Sequence, residues 1–184
     1  MTILFDHEEV GSQSAQGADS NMAVEITQRV FSAFTEFNND QYFASIHRSF
    51  LLSADMAHAI HPNYAEKHHC DHAPRMQEGI VLKVNANQRY MTDSVGSSVL
   101  KVLAARAGVP IQEFIVRNDC LCGSTIGPMM AAKAGIKTID IGAPQLGMHS
   151  IRETCGVIDL LYYQKLFAVF YTSYYELAEN LLAE

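Results

Sequence analysis

Glu8 and Glu9 stand side by side in "FDHEEVGS", residues 5–12, between an apolar start and a Gly-Ser pair. Two adjacent carboxylates at the end of an apolar run have two readings. They are either a solvated acidic pair on a loop, or they divide the work of a hydrolytic centre, one holding a metal and the other moving a proton. Two further polar residues stand at comparable places: Asp55 in "SADMAHAIHPNY" and His149 in "APQLGMHSIRE". Carboxylate and imidazole groups from separate loops suit zinc or a similar divalent ion, and a neighbouring free carboxylate can take a proton from water. Spacing alone leaves this open, because single donors scattered along a chain are common.

The elements that must position these groups alternate between strand and helix. Ile3 to Phe5 is a short apolar run that ends at the carboxylates, and a turn at Val10-Gly11 would let both side chains reach one cavity. Met22, Ile26, Val30, Ala33, Phe34 and Phe37 recur at helical spacing, with Asp19 or Ser20 available as a cap. "SFLLSADM" and "GIVLKVN" are too short for helices and read as strands. A helix beginning at Ser94 is stopped by Gly108 and Pro110. "EFIVRN" and "IKTIDIG" read as two more strands around a helix "STIGPMMAAKAG", in which Pro128 must occupy the first turn. Residues 156–182 form a long final helix. Buried apolar strands alternating with helices predict an α/β fold with a mainly parallel central sheet, and polar residues at strand ends are where such folds gather function.

At 184 residues the chain suffices for one domain or part of one, and I/V/L/F-rich runs within a 48% hydrophobic, 18% charged composition indicate a globular protein. The net charge of −7 argues against nucleic-acid and anionic-membrane partners, which need a basic surface. The most apolar stretch, Val157 to Tyr175, is broken by Asp159, Gln164 and Lys165, so it predicts a buried helix and no membrane span. No signal peptide is visible, and Cys70, Cys120, Cys122 and Cys155 form no CxxC pair, which points to reduced thiols and a cytoplasmic location.

Four motifs, "DHEEVGSQSAQGA", "SADMAHAIHPNY", "VRNDCLCGSTIGP" and "GAPQLGMHSIRE", resemble in order those of the aspartyl aminopeptidases, a family of cytosolic di-zinc exopeptidases. The resemblance implies a three-layer α/β/α sandwich of the zinc-exopeptidase kind. It implies Glu8 as general base, Glu9, Asp55 and His149 as zinc ligands, and two zinc ions in a complete site, with Mn or Co as alternatives. It also implies that Lys83 on "IVLKVN" pairs with a substrate Asp or Glu, assisted by Tyr90. His61, three residues after His58, would donate to the tetrahedral intermediate unless it is simply a packed histidine. "HHCDHAP", residues 68–74, crowds three histidines around a cysteine, yet lies where the family has no ligands, and is expected to be a solvated loop.

The family draws a further His and a bridging Asp from upstream sequence and carries an inserted dimerisation domain. Residues 1–184 are therefore expected to be the C-terminal portion of the catalytic domain, starting directly on a core strand. The expected activity is release of acidic N-terminal residues from peptides, weak or absent in this portion alone, by a homo-oligomer. The competing expectation is a non-catalytic remnant that self-associates or binds a partner.

Overall fold

Strand sequences rich in Ile, Val and Leu form the centre of the computed structural model, which describes residues 1–182. Along the chain run α1 (Met22–Phe34), α2 (Asn39–Arg48), β1 (Phe50–Ala54), β2 (Ala57–His58), β3 (Ile80–Val84), α3 (Ser94–Ala107), β4 (Ile111–Ile115), α4 (Ile126–Ala134), β5 (Lys137–Gly142), β6 (Pro144–Leu146), β7 (Thr154–Cys155) and α5 (Val157–Leu182). The main sheet has the order β1-β5-β3-β4. β1 lies parallel to β5 with Phe50 opposite Lys137, and β3 parallel to β4 with Ile80 opposite Ile111. The central β3–β5 pair is antiparallel, so the sheet is mainly rather than wholly parallel. β2, β6 and β7 make a small second sheet beyond the ends of β1 and β5.

Side-chain alternation places the layers. Ile139 and Ile141 of β5, with Ile80 and Leu82 of β3, join Leu100 and Leu103 of α3 and Leu166 of α5 in the principal core. Gly96 lets α3 settle onto Ile139, since a Cβ there would collide with the isoleucine Cγ2. Asp140 points to the opposite face of β5, where Gly127 of α4 approaches its carboxylate so closely that any side chain would clash. Helices thus cover both faces, giving the α/β/α layering that the family resemblance implies.

Two buried carboxylates tie elements together. Asp140 accepts from Ser53 Oγ (2.5 Å), Thr125 Oγ1 (2.6 Å) and the Met91 amide (2.6 Å), joining β1, the lead-in to α4 and the segment before α3. Asp159, in the first turn of α5, accepts from the Gln77 and Gly79 amides and fixes the entry to β3.

The N-terminal segment departs from expectation. Ile3 to Phe5 forms no strand, and Leu4 is 91% exposed. A strand exists only when a neighbour completes its backbone hydrogen bonds. Here residues 1–5 and the edge strand β1 border a common cavity of about 470 Å³, walled also by Met130 and Tyr163, in place of pairing. The Tyr171 hydroxyl holds the segment instead, meeting Thr2 Oγ1 at 2.7 Å and donating to the Met1 carbonyl.

Candidate metal centre

Glu8 and Glu9 lie in a single turn of 3-10 helix, Glu8–Val10, bracketed by left-handed residues: His7 at φ 63° and Gly11 at φ 98°. Gly11 is the turn that the Val10-Gly11 pair predicts, and its amide donates to the Glu8 carbonyl at 3.0 Å. The loop is anchored inward by the buried Ser12, whose carbonyl accepts from the Asp19 amide and packs against Gly17. Both carboxylates therefore leave a short turn in one region of space, which an extended strand would forbid because successive side chains diverge.

His149 follows β6, on a loop turned by Gly147 (φ 71°). It adopts φ 63° itself, an uncommon backbone state for a residue with a Cβ. Its amide donates to Glu153 Oε1 at 2.6 Å, and its Nδ1 meets Glu9 Oε2 at 2.9 Å. Ligating atoms of Glu8, Glu9 and His149 all lie within 4.8 Å of one another. Residues 140 apart in sequence thus converge on one point.

Asp55 follows the C-terminal end of β1, the position where α/β sheets present functional groups. Its Oδ1 accepts from the Met56 amide at 2.7 Å, which fixes the carboxylate's orientation. It stands outside the 4.8 Å group, yet close enough for its charge to act on Glu8. The Glu8 carboxyl is held above its usual range, first by partial withdrawal from water and then by Asp55 and the other nearby carboxylates, with His149 opposing. Hydrogen bonding to Glu9 raises the His149 pKa. Four carboxylates, Glu8, Glu9, Asp55 and Glu153, thus act electrostatically on one place, a donor set chemically suited to a divalent cation.

Lys83 is 2% exposed rather than a solvated strand lysine. Its Nζ lies 3.5 Å from Asp55 Oδ2, donates to the Met56 carbonyl at 2.8 Å, and sits 5.2 Å from the centre of the Tyr90 ring. Burial lowers its pKa, against the attraction of Asp55 and Asp140. Tyr90 is itself buried, and its hydroxyl pKa is raised by burial and by Cys122. Lys83 and Tyr90 form a stack behind Asp55, a coupling that spacing does not reveal because the three residues come from different elements.

His61 makes no described hydrogen bond to the Glu8, Glu9 and His149 group. Its described contacts are to its own loop: Nδ1 accepts from the Asn63 amide, and its ring rests 5.1 Å from that of Tyr64. His58 lies nearer in effect. It keeps solvent-accessible area, yet the protein around its ring lowers its pKa, and the charges of His68, Lys83 and His149 add to that. Glu153 is the neighbour that the sequence pattern passes over, while His58 was read only as a companion of His61. The four-residue interval from His149 to Glu153 is the one available signal, and it is a weak one.

An α/β layer with carboxylates and an imidazole gathered at loops beyond its strand ends has the layout of a zinc hydrolase as a class. Residues 1–171 match the family model described as aminopeptidase I zinc metalloprotease (M18). The chain is 51% identical to a probable aspartyl aminopeptidase of Ricinus communis, over all of its own length and 37% of that protein's. It is 50% identical to aspartyl aminopeptidase 4 of Saccharomyces cerevisiae, over 95% of this chain and 37% of the other. Among solved structures, it superimposes with TM-score 0.90 on the cryo-EM structure of the Ape4 and Nbr1 complex, at 49% identity over 96% of this chain and 33% of that one. For the S. cerevisiae mApe1 dodecamer the TM-score is 0.86, at 35% identity over 97% and 39%. The chain belongs to the M18 aminopeptidase family and spans well under half the length of the curated relatives it matches.

Proposed function

We propose that these residues are the C-terminal portion of the catalytic domain of a zinc aminopeptidase that removes Asp or Glu from peptide N-termini. The observation that carries the reading is the convergence of Glu8, Glu9 and His149 within 4.8 Å, with the charge of Asp55 acting on Glu8. Family membership and relatives described as aspartyl aminopeptidases support it.

Glu9, His149 and Asp55 would hold the metal, which when bound supplies a Lewis acid to polarise the scissile carbonyl and acidify water. Glu8, its basicity raised by its surroundings, accepts the proton of the attacking water and delivers it to the departing amine. A full site takes two zinc ions and needs donors beyond these three residues, with Mn or Co as alternatives. His61 is assigned to hydrogen bonding of the developing oxyanion. Lys83 and Tyr90 are assigned to the substrate's acidic side chain, received beside Asp55, where the buried cation is partly neutralised already.

We further place the protein in the cytoplasm, consistent with four free thiols, and read it as a homo-oligomer. Exposed Val157, Leu160, Leu161, Tyr171 and Tyr175 along α5 supply an apolar surface for assembly.

A chimera tests the reading directly: this chain replaces the matching portion of the Ricinus relative. It is expected to release N-terminal Asp faster than Leu and to lose activity to a chelator. A folded, zinc-loaded chimera with no peptidase activity would overturn the assignment. In that chimera Glu9→Ala should weaken zinc by more than about tenfold, since even supporting partners of metal ligands carry 10–100-fold. Unchanged zinc content would remove Glu9 from the ligand set. Lys83→Met should lower kcat/KM far more for an aspartyl than for a neutral substrate. Equal losses accompanied by weakened zinc binding would make Lys83 a support for Asp55 instead.

A further inference from the structure

We propose that loop 69–72 is a second metal site, independent of the Glu8–Glu9–His149 centre, that takes a zinc-class transition ion on imidazole, thiolate and carboxylate. Ligating atoms of His69, Cys70 and Asp71 lie within 4.8 Å of one another, and His69 Nδ1 is 4.0 Å from Asp71 Oδ2. Donors each bound at about 2 Å around a tetrahedral zinc stand roughly 3.3 Å apart. Modest rotation of exposed side chains closes that difference.

The loop's backbone gathers these donors. The His72 amide donates to the His69 carbonyl at 3.0 Å, closing a tight turn that gathers consecutive side chains. The Asp71 amide reaches His69 Nδ1 at 3.3 Å, a long contact that a metal on this nitrogen would displace and that leaves Nε2 free to ligate instead. Cys70 is exposed and forms no disulfide. The His72 ring lies 5.3 Å from that of His69, so a second imidazole is at hand for the fourth position. His69 and His72 also border a cleft of about 420 Å³ with Asp119 on its wall, which gives an ion access to solvent. One residue upstream, His68 Nδ1 is buried with no hydrogen-bond partner, so the polar groups at the root of this loop are incompletely satisfied.

The donor types set the metal. Sulfur with imidazole favours zinc, cobalt or copper over magnesium and calcium, which prefer oxygen alone. Sulfur also separates this site from the first, whose proposed ligands contain none.

Cobalt(II) titration of the chelator-treated, reduced chain reads the difference. The expected result is a sulfur-to-cobalt charge-transfer band in the near ultraviolet that saturates at one equivalent. Cys70→Ser should abolish the band, His69→Asn should weaken the binding that produces it on the order of 10–100-fold, and Glu9→Gln should leave it unchanged. Circular dichroism establishes that each variant is folded. Absence of the band, its survival in Cys70→Ser, or affinity no tighter than about 1 mM, the mark of an adventitious ion only, would each overturn the proposal.

Discussion

Glu8→Gln, placed in the chimera that supplies the remainder of an M18 enzyme, is expected to keep its zinc while losing roughly 10²–10⁴-fold in kcat, the usual worth of a general base. The substitution preserves shape and removes only the ability to take a proton. Glu8 is the member of the pair free for this work, because Glu9 is the one hydrogen-bonded to His149. Zinc analysis beside initial rates decides the matter. A variant that loses zinc and rate together would exchange the roles of Glu8 and Glu9, and one that loses neither would end the hydrolytic assignment of the pair.

Asp140→Ala should have the largest effect on stability. The Asp140 side chain is wholly buried and accepts from Ser53, Thr125 and Met91. Truncation strands two buried donors and one partly buried one at about 1–3 kcal/mol apiece, so a total above about 3 kcal/mol is expected. Against a typical total of about 5–15 kcal/mol, denaturant unfolding should show a large fall in midpoint, or no folded protein at all. A loss below about 1 kcal/mol would mean that water or rotated side chains replace the carboxylate.

The strands were legible in the sequence where the apolar run is continuous. "GIVLKVN", "SFLLSADM" and "IKTIDIG" became β3, β1 and β5, since a continuous apolar run of that length has few other uses. α3 begins at Ser94 and stops at the Gly108 cap as the stop signals predict, while its N-terminal cap, Asp93, which accepts from the Gly96 amide, was not read from the sequence. β4 lies two residues earlier than "EFIVRN" places it, because register with β3, not hydrophobicity, sets its bounds. α2 escaped notice, its apolar Tyr42 and Ile46 being too few to display a period. β2, β6 and β7 are two or three residues each, defined only by one another.

The site was legible in part. Glu8, Glu9 and His149 meet, and Asp55 stands at a strand end. The stack of Lys83 between Asp55 and Tyr90 was not legible, because a lysine in a strand gives no sign of whether its face is covered. The crowding of donors in "HHCDHAP" was legible and was read as a solvated loop, while the turn that brings His69, Cys70 and Asp71 atoms together was not.

The distance in sequence between Glu9 and His149 also governs when the centre can exist. Holding the ends of a 140-residue span together costs about 4 kcal/mol in chain entropy beyond a constant term, so this contact depends on β1 already lying beside β5. During synthesis, at about 5–20 residues per second, His149 leaves the ribosome on the order of 10 s after the carboxylates. Until then the nascent chain carries the paired carboxylates of the proposed metal centre without the imidazole that meets Glu9.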